Sequence, residues 1–296
     1  MASTMDGSAA SLTSELLARC HFPATGSKVS VAVSGGPDSM ALMVLAHAHG
    51  LVVTAHHVDH GARPDSHLDI DVITPVADRL GISVVVHTLS VENGPNFEAR
   101  ARDARYGALP DDVMTGHTAD DQAETVLINL LRGAASQGLG AMRPSTSRPL
   151  LALRRSDTHA LCSAHGIHAI TDSTNTDPRF VRNRVRNELV PLIAEISHRD
   201  PVPLLTRSAD LLRDDNDLLD ELAATIDPTD ARALADAPAP LARRAIRRWL
   251  ANPYPPDLAT IERVLLVAKG EVLACDVGEN REIRRSKQRL TLRNLG

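Results

Sequence analysis

Two short stretches of this chain combine residue types that do chemistry together. Ser34-Gly35-Gly36-Pro37-Asp38-Ser39 holds two glycines, two hydroxyls and a carboxylate. Glycines let a backbone approach an anion closely, and a helix opening there adds unpaired N–H groups and the positive end of its dipole. Ser34 and Ser39 supply hydroxyl donors. Asp38 is the odd member, because a carboxylate repels phosphate unless a Mg2+ ion lies between them. No Gly-Lys-Ser/Thr is present, which excludes a kinase-type phosphate loop. The second stretch runs Gly116-His117-Thr118-Ala119-Asp120-Asp121-Gln122-Ala123-Glu124-Thr125. His117, Asp121 and Glu124 are four and three apart, which on a helix is one face. Carboxylates so placed can hold Mg2+ or accept a cationic amine, and a histidine beside them can bind phosphate or move protons near neutral pH. Capping competes for part of this pattern. Thr118 as N-cap with Asp121 three residues on would make both aspartates parts of a helix start. Glu124 and His117 are not explained that way.

The elements around these stretches alternate. Residues 28–33, 52–58, 82–87 and 112–115 read as strands, and 38–49, 67–80, 97–109 and 119–131 as helices. Strand–helix alternation with nearly continuous apolar strands implies an α/β fold: a parallel, five-stranded-type sheet with helices on both faces. Ligands in such sheets sit beyond the carboxyl ends of the strands, where both stretches fall. After Pro201 the pattern changes to helices at 204–226, 230–236, 241–250 and 258–268, punctuated by prolines. Strands at 271–276, 283–285 and 289–293, the first two joined through a Gly-Glu-Asn turn, close the chain. The expected organisation is a lead-in over 1–27, a catalytic domain over 28–194, and a smaller, mainly helical domain over 195–296 ending in an antiparallel element.

Composition sets outer bounds. The chain has 296 residues, 43% hydrophobic and 23% charged, with a formal net charge of −5, which suits a globular enzyme and not a disordered chain. Lys28, Lys269 and Lys287 are the only lysines among 32 basic residues, and the aromatics are few, so rows of stacking platforms for bases are excluded. Cys20, Cys162 and Cys275 are far apart with no C-x-x-C pair, against a disulfide framework or a cysteine zinc site. The start has no secretory pattern, and no apolar run approaches the ~20 residues that span a bilayer. A cytoplasmic protein without membrane contact is expected. The modest net charge conceals local excess: Arg179, Arg182, Arg184 and Arg186 face only Glu188, and the tail from Arg281 to Arg293 is strongly basic. Such stretches favour an anionic partner. The acidic run from Asp210 to Glu221 reads as a solvated helix face.

The strand–Ser-Gly-Gly-x-Asp-Ser–helix unit resembles the pyrophosphate loop of the ATP pyrophosphatase superfamily, whose members split ATP to AMP and pyrophosphate and activate a substrate as its adenylate. Together with the His-x-x-Asp-Asp-Gln-x-Glu-Thr string, it resembles the tRNA(Ile)-lysidine synthetase family. Further stretches fit that family: Val58-Asp59-His60-Gly61 with Arg63, Glu98 to Tyr106 with Arg102 and Arg105, Asp172-Ser173-Thr174-Asn175, and Arg182-Asn183 with Arg186. The likeness runs in order over roughly residues 28–193. It departs at Gly138-Leu139-Gly140, where the family glycine is shifted.

The resemblance implies an enzyme that uses ATP to adenylate C2 of the wobble cytidine in an isoleucine tRNA with a CAU anticodon. The amine of free L-lysine then displaces AMP. It further implies that Ser34, Gly35, Gly36, Pro37, Asp38 and Ser39 hold ATP phosphates, with Asp38 linked to Mg2+. His117 and Arg105 would stabilise departing pyrophosphate, Asp121 and Glu124 would take the lysine ammonium, and Arg182 and Arg186 would face RNA or phosphate. The length matches the short form of the family. A homodimer is compatible with the sequence but is not specified by it. Two rivals stand beside this reading: a tRNA-thiolating enzyme of the same superfamily, which would use reactive cysteines, and a non-catalytic nucleotide- or RNA-binding protein.

Overall fold

Lys28–Ala32 forms β1, Val52–Asp59 β2 and Ser83–Thr88 β3, three parallel strands in the order β1-β2-β3. The computed structural model describes residues 2–59, 68–89, 107–170, 177–252 and 254–295. These strands are rich in valine, whose branched side chains fit a pleated surface. Val31 pairs with Ala55, and Ala55 with Val84, so one face of the sheet carries an apolar row. The expected strand at 112–115 is reduced to one parallel bridge, Val31 to Met114, on the outer side of β1. Met114 makes both ladder bonds there, its N–H to the carbonyl of Ser30 at 2.8 Å and its carbonyl accepting from Ala32 at 2.9 Å, while the N–H of Thr115 on the other side bonds the carbonyl of Ser147 at 2.9 Å. Among the described residues, the five-stranded-type sheet therefore consists of three strands and this bridge.

Helices α1 (Ala2–Leu17), α2 (Pro37–Ala48), α3 (Leu68–Leu80), α4 (Ala119–Leu131) and α5 (Arg155–Ala164) belong to the same unit. Helix α2 is apolar on all sides and buried without interruption from Ser39 to Ala46, as a helix inserted into a core must be. Pro37 at its first turn fixes the starting φ and forgoes a donor that would have no partner. The core joins Met40, Leu42, Met43 and Leu45 of α2 to Val31, Ala55, Ile73 and Leu161. A further helical segment, α6, comprises Val181–Arg184, a π turn at Val185–Leu189, and Val190–Ser197. The expected helix 97–109 lies outside the described residues apart from its last three positions.

Helix α7 spans Pro201–Ala224 and starts earlier than 204, because Asp200 accepts the N–H of Val202 at 3.0 Å and the prolines fall in the first turn. The chain divides into Met1–Ala209 and Asp210–Gly296, so the boundary falls inside this helix. The second unit contains α8 (Ala231–Asp236), α9 (Ala239–Leu250) and α10 (Leu258–Lys269). They share a core with an antiparallel sheet of β4 (Ala274–Gly278), β5 (Arg281–Ser286) and β6 (Arg289–Asn294). Glu279 and Asn280 take positive φ in the expected turn after Gly278.

Candidate active site

β1 delivers the chain to the phosphate-loop candidate, and the loop closes on itself through its serines. Ser39 Oγ accepts the N–H of Ser34 at 3.1 Å and donates to the carbonyl of Gly36 at 2.9 Å. The two serine Oγ atoms lie 3.3 Å apart. Gly35 has φ +77, and a Cβ there would also sit 3.0 Å from Ile170 Cδ1, so the position calls for glycine twice over. This places the first turn of α2, with its N–H groups, at the strand's carboxyl end.

Asp38 stands in that first turn. Thr158 on α5 donates its hydroxyl to Oδ1 at 2.5 Å, and Arg155 Nε lies 3.7 Å from Oδ2. Burial raises the Asp38 carboxyl above the usual carboxylate range; the Asp121 charge adds to this, while the Thr158 hydrogen bond and Arg155 oppose it.

The second stretch arrives beside the first through Gly116. A Cβ on Gly116 would lie 2.6 Å from the carbonyl oxygen of Asp38, a backbone atom that cannot step aside. Gly116→Ala is therefore expected to displace the start of α2, lowering stability by about 1–3 kcal/mol and turnover with it. Denaturant unfolding and steady-state kinetics on the same preparation check this; an alanine variant with unchanged kcat would show that the contact does not position Asp38.

Within α4 the two aspartates have different work. Asp120 Oδ2 accepts from Arg154 Nε at 3.0 Å and from the Arg155 N–H at 2.8 Å, tying α4 to the start of α5. Asp121 Oδ2 accepts the N–H of Thr118 at 2.9 Å and its hydroxyl at 3.0 Å, so the capping contact expected for it is present. Its other oxygen, Oδ1, faces Arg182 at 3.1 Å and Arg155 and Arg186 at 3.4 Å. Burial pushes the Asp121 carboxyl upward, but Arg182, Arg155 and the Thr118 N–H outweigh it and hold the group below its ordinary value. Glu124 is 2% exposed and is held by Arg186 Nε at 2.7 Å, Arg182 Nε at 2.8 Å and Arg155 Nη2 at 3.1 Å. His117 Nδ1 is 2.7 Å from Thr115 Oγ1, and the histidine is close enough for its charge to bear on Asp121.

The structure thus brings Asp38, Asp121, Glu124, Arg182 and Arg186 into one cluster beyond the sheet edge, with His117 alongside. Arg182 and Arg186, expected to face RNA or phosphate, are paired inward with the carboxylates. Arg105 lies outside the described residues, as do His60, Arg63 and the stretch 172–175. Arg155 and Thr158 were not among the candidates. The one local signal for Arg155 is its position: a cation in the first turn of a helix opposes the dipole and calls for nearby carboxylates.

A strand, a glycine loop closed by two serines, and a helix N-terminus beside a carboxylate cluster are the build of a pyrophosphate-loop protein, and the family model described as the PP-loop domain matches residues 8–193. Among curated relatives, the tRNA(Ile)-lysidine synthase of Nocardia farcinica is 37% identical over 298 residues, covering 92% of this chain and 94% of the relative. That of Mycolicibacterium paratuberculosis is 43% identical over 235 residues, covering 74% and 73%. The chain belongs to the tRNA(Ile)-lysidine synthase family. Its fold is shared with a solved U34-tRNA thiolase, NcsA from Methanococcus maripaludis, at TM-score 0.51 and 16% identity over 69% of this chain and 78% of that one.

Proposed function

We propose that this protein ligates free L-lysine to C2 of the wobble cytidine of tRNA(Ile) with a CAU anticodon, converting ATP to AMP and pyrophosphate. The observation that carries the reading is the meeting of a phosphate loop and a buried carboxylate pair at one sheet edge, in a chain that matches one lysidine synthase over 92% of its length.

The reaction has two steps. The oxygen on C2 of the base attacks the α-phosphorus of ATP, and pyrophosphate leaves with the electrons of the broken P–O bond. The lysine amine then attacks C2, loses a proton, and AMP leaves. Ser34 to Ser39 bind the phosphates, and His117 and Arg105 meet the charge that builds on pyrophosphate. Asp121 and Glu124 attract the ammonium group. Arg182 and Arg186 act first as counter-ions of that pair, and their side chains keep 35% and 25% of their surface exposed, which leaves each able to meet an RNA phosphate as well.

Mg2+ fits this donor set. Among the described residues no group of three or more His, Cys, Asp or Glu side chains could cage a metal, whereas Mg2+ commonly takes one or two carboxylates and fills its shell with substrate phosphates and water. Asp38 would be that carboxylate, since among the described residues its Oδ2 has only a long contact, to Arg155 at 3.7 Å. Bound there, the ion supplies charge neutralisation to the phosphates.

The cysteines weigh against thiolation. Burial pushes both the Cys20 and Cys162 thiols up to about 12, and Cys275 is also raised by burial. Thiols so shifted are poor nucleophiles near neutral pH. No helix among the described residues is long and apolar enough to cross a membrane.

Incubation with an isoleucine tRNA transcript, ATP and labelled lysine tests the proposal. Label entering the tRNA with lysine-dependent AMP release is expected. No such release, or product formation only with a sulfur donor, overturns it.

A further inference from the structure

Arg155 is the one cation among the described residues in ion-pair contact with both halves of the site. Its Nε edge faces Asp38 of the phosphate loop at 3.7 Å, and its Nη2 faces Asp121 at 3.4 Å and Glu124 at 3.1 Å. Arg182 and Arg186 pair with Asp121 and Glu124, through shorter contacts to Glu124 of 2.8 Å for Arg182 and 2.7 Å for Arg186. Three carboxylates thus meet three guanidinium groups in a largely buried cluster. Among the described residues, Asp121 Oδ1 and both Glu124 oxygens are already taken up by guanidinium donors, so an incoming ammonium has to displace one of them. One guanidinium has to move out as the ammonium moves in. Arg155 has the longest contacts of the three to Glu124 and is the one already beside the phosphate loop.

Resting on the lysine-ligase reading above, we infer that Arg155 is a positioning residue that keeps the amine pocket closed until the phosphate loop is filled. Nucleotide phosphates bring negative charge next to Asp38 and draw the guanidinium toward them. Its withdrawal frees its contacts on Asp121 Oδ1 and Glu124 Oε1, and the ammonium of the amine substrate takes them up. Amine affinity then depends on nucleotide occupancy, and by linkage the dependence is reciprocal.

Equilibrium dialysis of radiolabelled lysine against the full chain, with and without Mg2+ and an ATP analogue blocked at the α–β bond, measures this coupling. For wild type, the analogue is expected to tighten lysine binding roughly tenfold or more, within the usual range of site–site coupling. Arg155→Met is expected to bind lysine without the analogue about as tightly as wild type does with it. Arg155→Lys keeps the charge but offers a point ammonium in place of a planar fork. It is expected to fold as wild type by circular dichroism and to lose the coupling as well, so that the loss cannot be assigned to unfolding. Wild-type protein that turns lysine over yet binds it equally, or not at all, in both conditions overturns the coupling alone. So does a methionine or lysine variant with the wild-type nucleotide dependence. Absence of both lysine binding and lysine-dependent AMP release overturns the functional reading and the coupling with it.

Discussion

Asp38→Asn is expected to abolish adenylation while leaving the protein as stable as before, or more so, at pH 7. The activity loss follows from removing the carboxylate proposed to link Mg2+ to the phosphates, and should amount to roughly 10^2–10^3-fold or more in pyrophosphate release. The stability result follows from the direction of the Asp38 shift. Burial leads in raising its pKa, with Asp121 adding to it against Thr158 and Arg155. A carboxyl whose folded pKa exceeds its unfolded value holds more protons in the folded state between the two values. Stability therefore falls as pH rises through that window, and the full cost is present above it. Asparagine removes the charge and still offers Thr158 an acceptor. Asp121→Asn supplies the opposite sign: its folded pKa is depressed, so its stabilisation is present above the unfolded value and is lost as pH falls through the folded one. Thermal melts of both variants at pH 7 and at pH 4 decide the matter. Equal destabilisation of the two at pH 7 would contradict the environment described for Asp38.

Glu124→Gln is expected to separate the two chemical steps. Glu124 is buried and is the common acceptor for Arg155, Arg182 and Arg186. Neutralising it deprives Arg155, Arg182 and Arg186 of the buried carboxylate they share, and breaking a buried ion pair from one side costs about 3–5 kcal/mol. The glutamine amide also turns an N–H donor toward guanidinium donors. A substantially lower unfolding midpoint is thus one readout. The other is kinetic: the lysine KM should rise about tenfold or more, as expected for a lost charge-assisted contact, while a burst of pyrophosphate release persists in folded protein. A near-normal lysine KM would remove Glu124 from the amine side and leave it as a structural counter-ion.

Local sequence was enough for the elements that hold the site. The six residues from Ser34 to Ser39 specify a strand-to-helix turn because glycine, proline and serine each have a backbone role there that few residues can fill. The uninterrupted apolar run from Met40 to Ala46 could belong only to a buried element. The i, i+3 spacing of Asp121 and Glu124 put both on one face of α4, which is where they lie. The short strand at 112–115 is present only as the bridge at Met114, whose N–H and carbonyl bond Ser30 and Ala32 of β1. Arg182 and Arg186 were legible as an excess of positive charge, and sequence alone turned that excess outward toward RNA.

Which carboxylate each arginine serves was settled only in three dimensions. Arg155 lies 31 residues from Glu124, and Arg182 and Arg186 lie 58 and 62 residues from it, with their side chains converging on the same two oxygens. Periodicity and capping record short-range geometry, where neighbours in the chain are neighbours in space. The partner of a long, flexible guanidinium is set by which charges the fold withdraws from water. Sequence therefore determined the phosphate loop, the face of α4 and the class of chemistry at the sheet edge. The tertiary structure decided that Asp121 and Glu124, the carboxylates proposed to receive an amine, are paired with arginines, because a carboxylate withdrawn from water needs a charged partner.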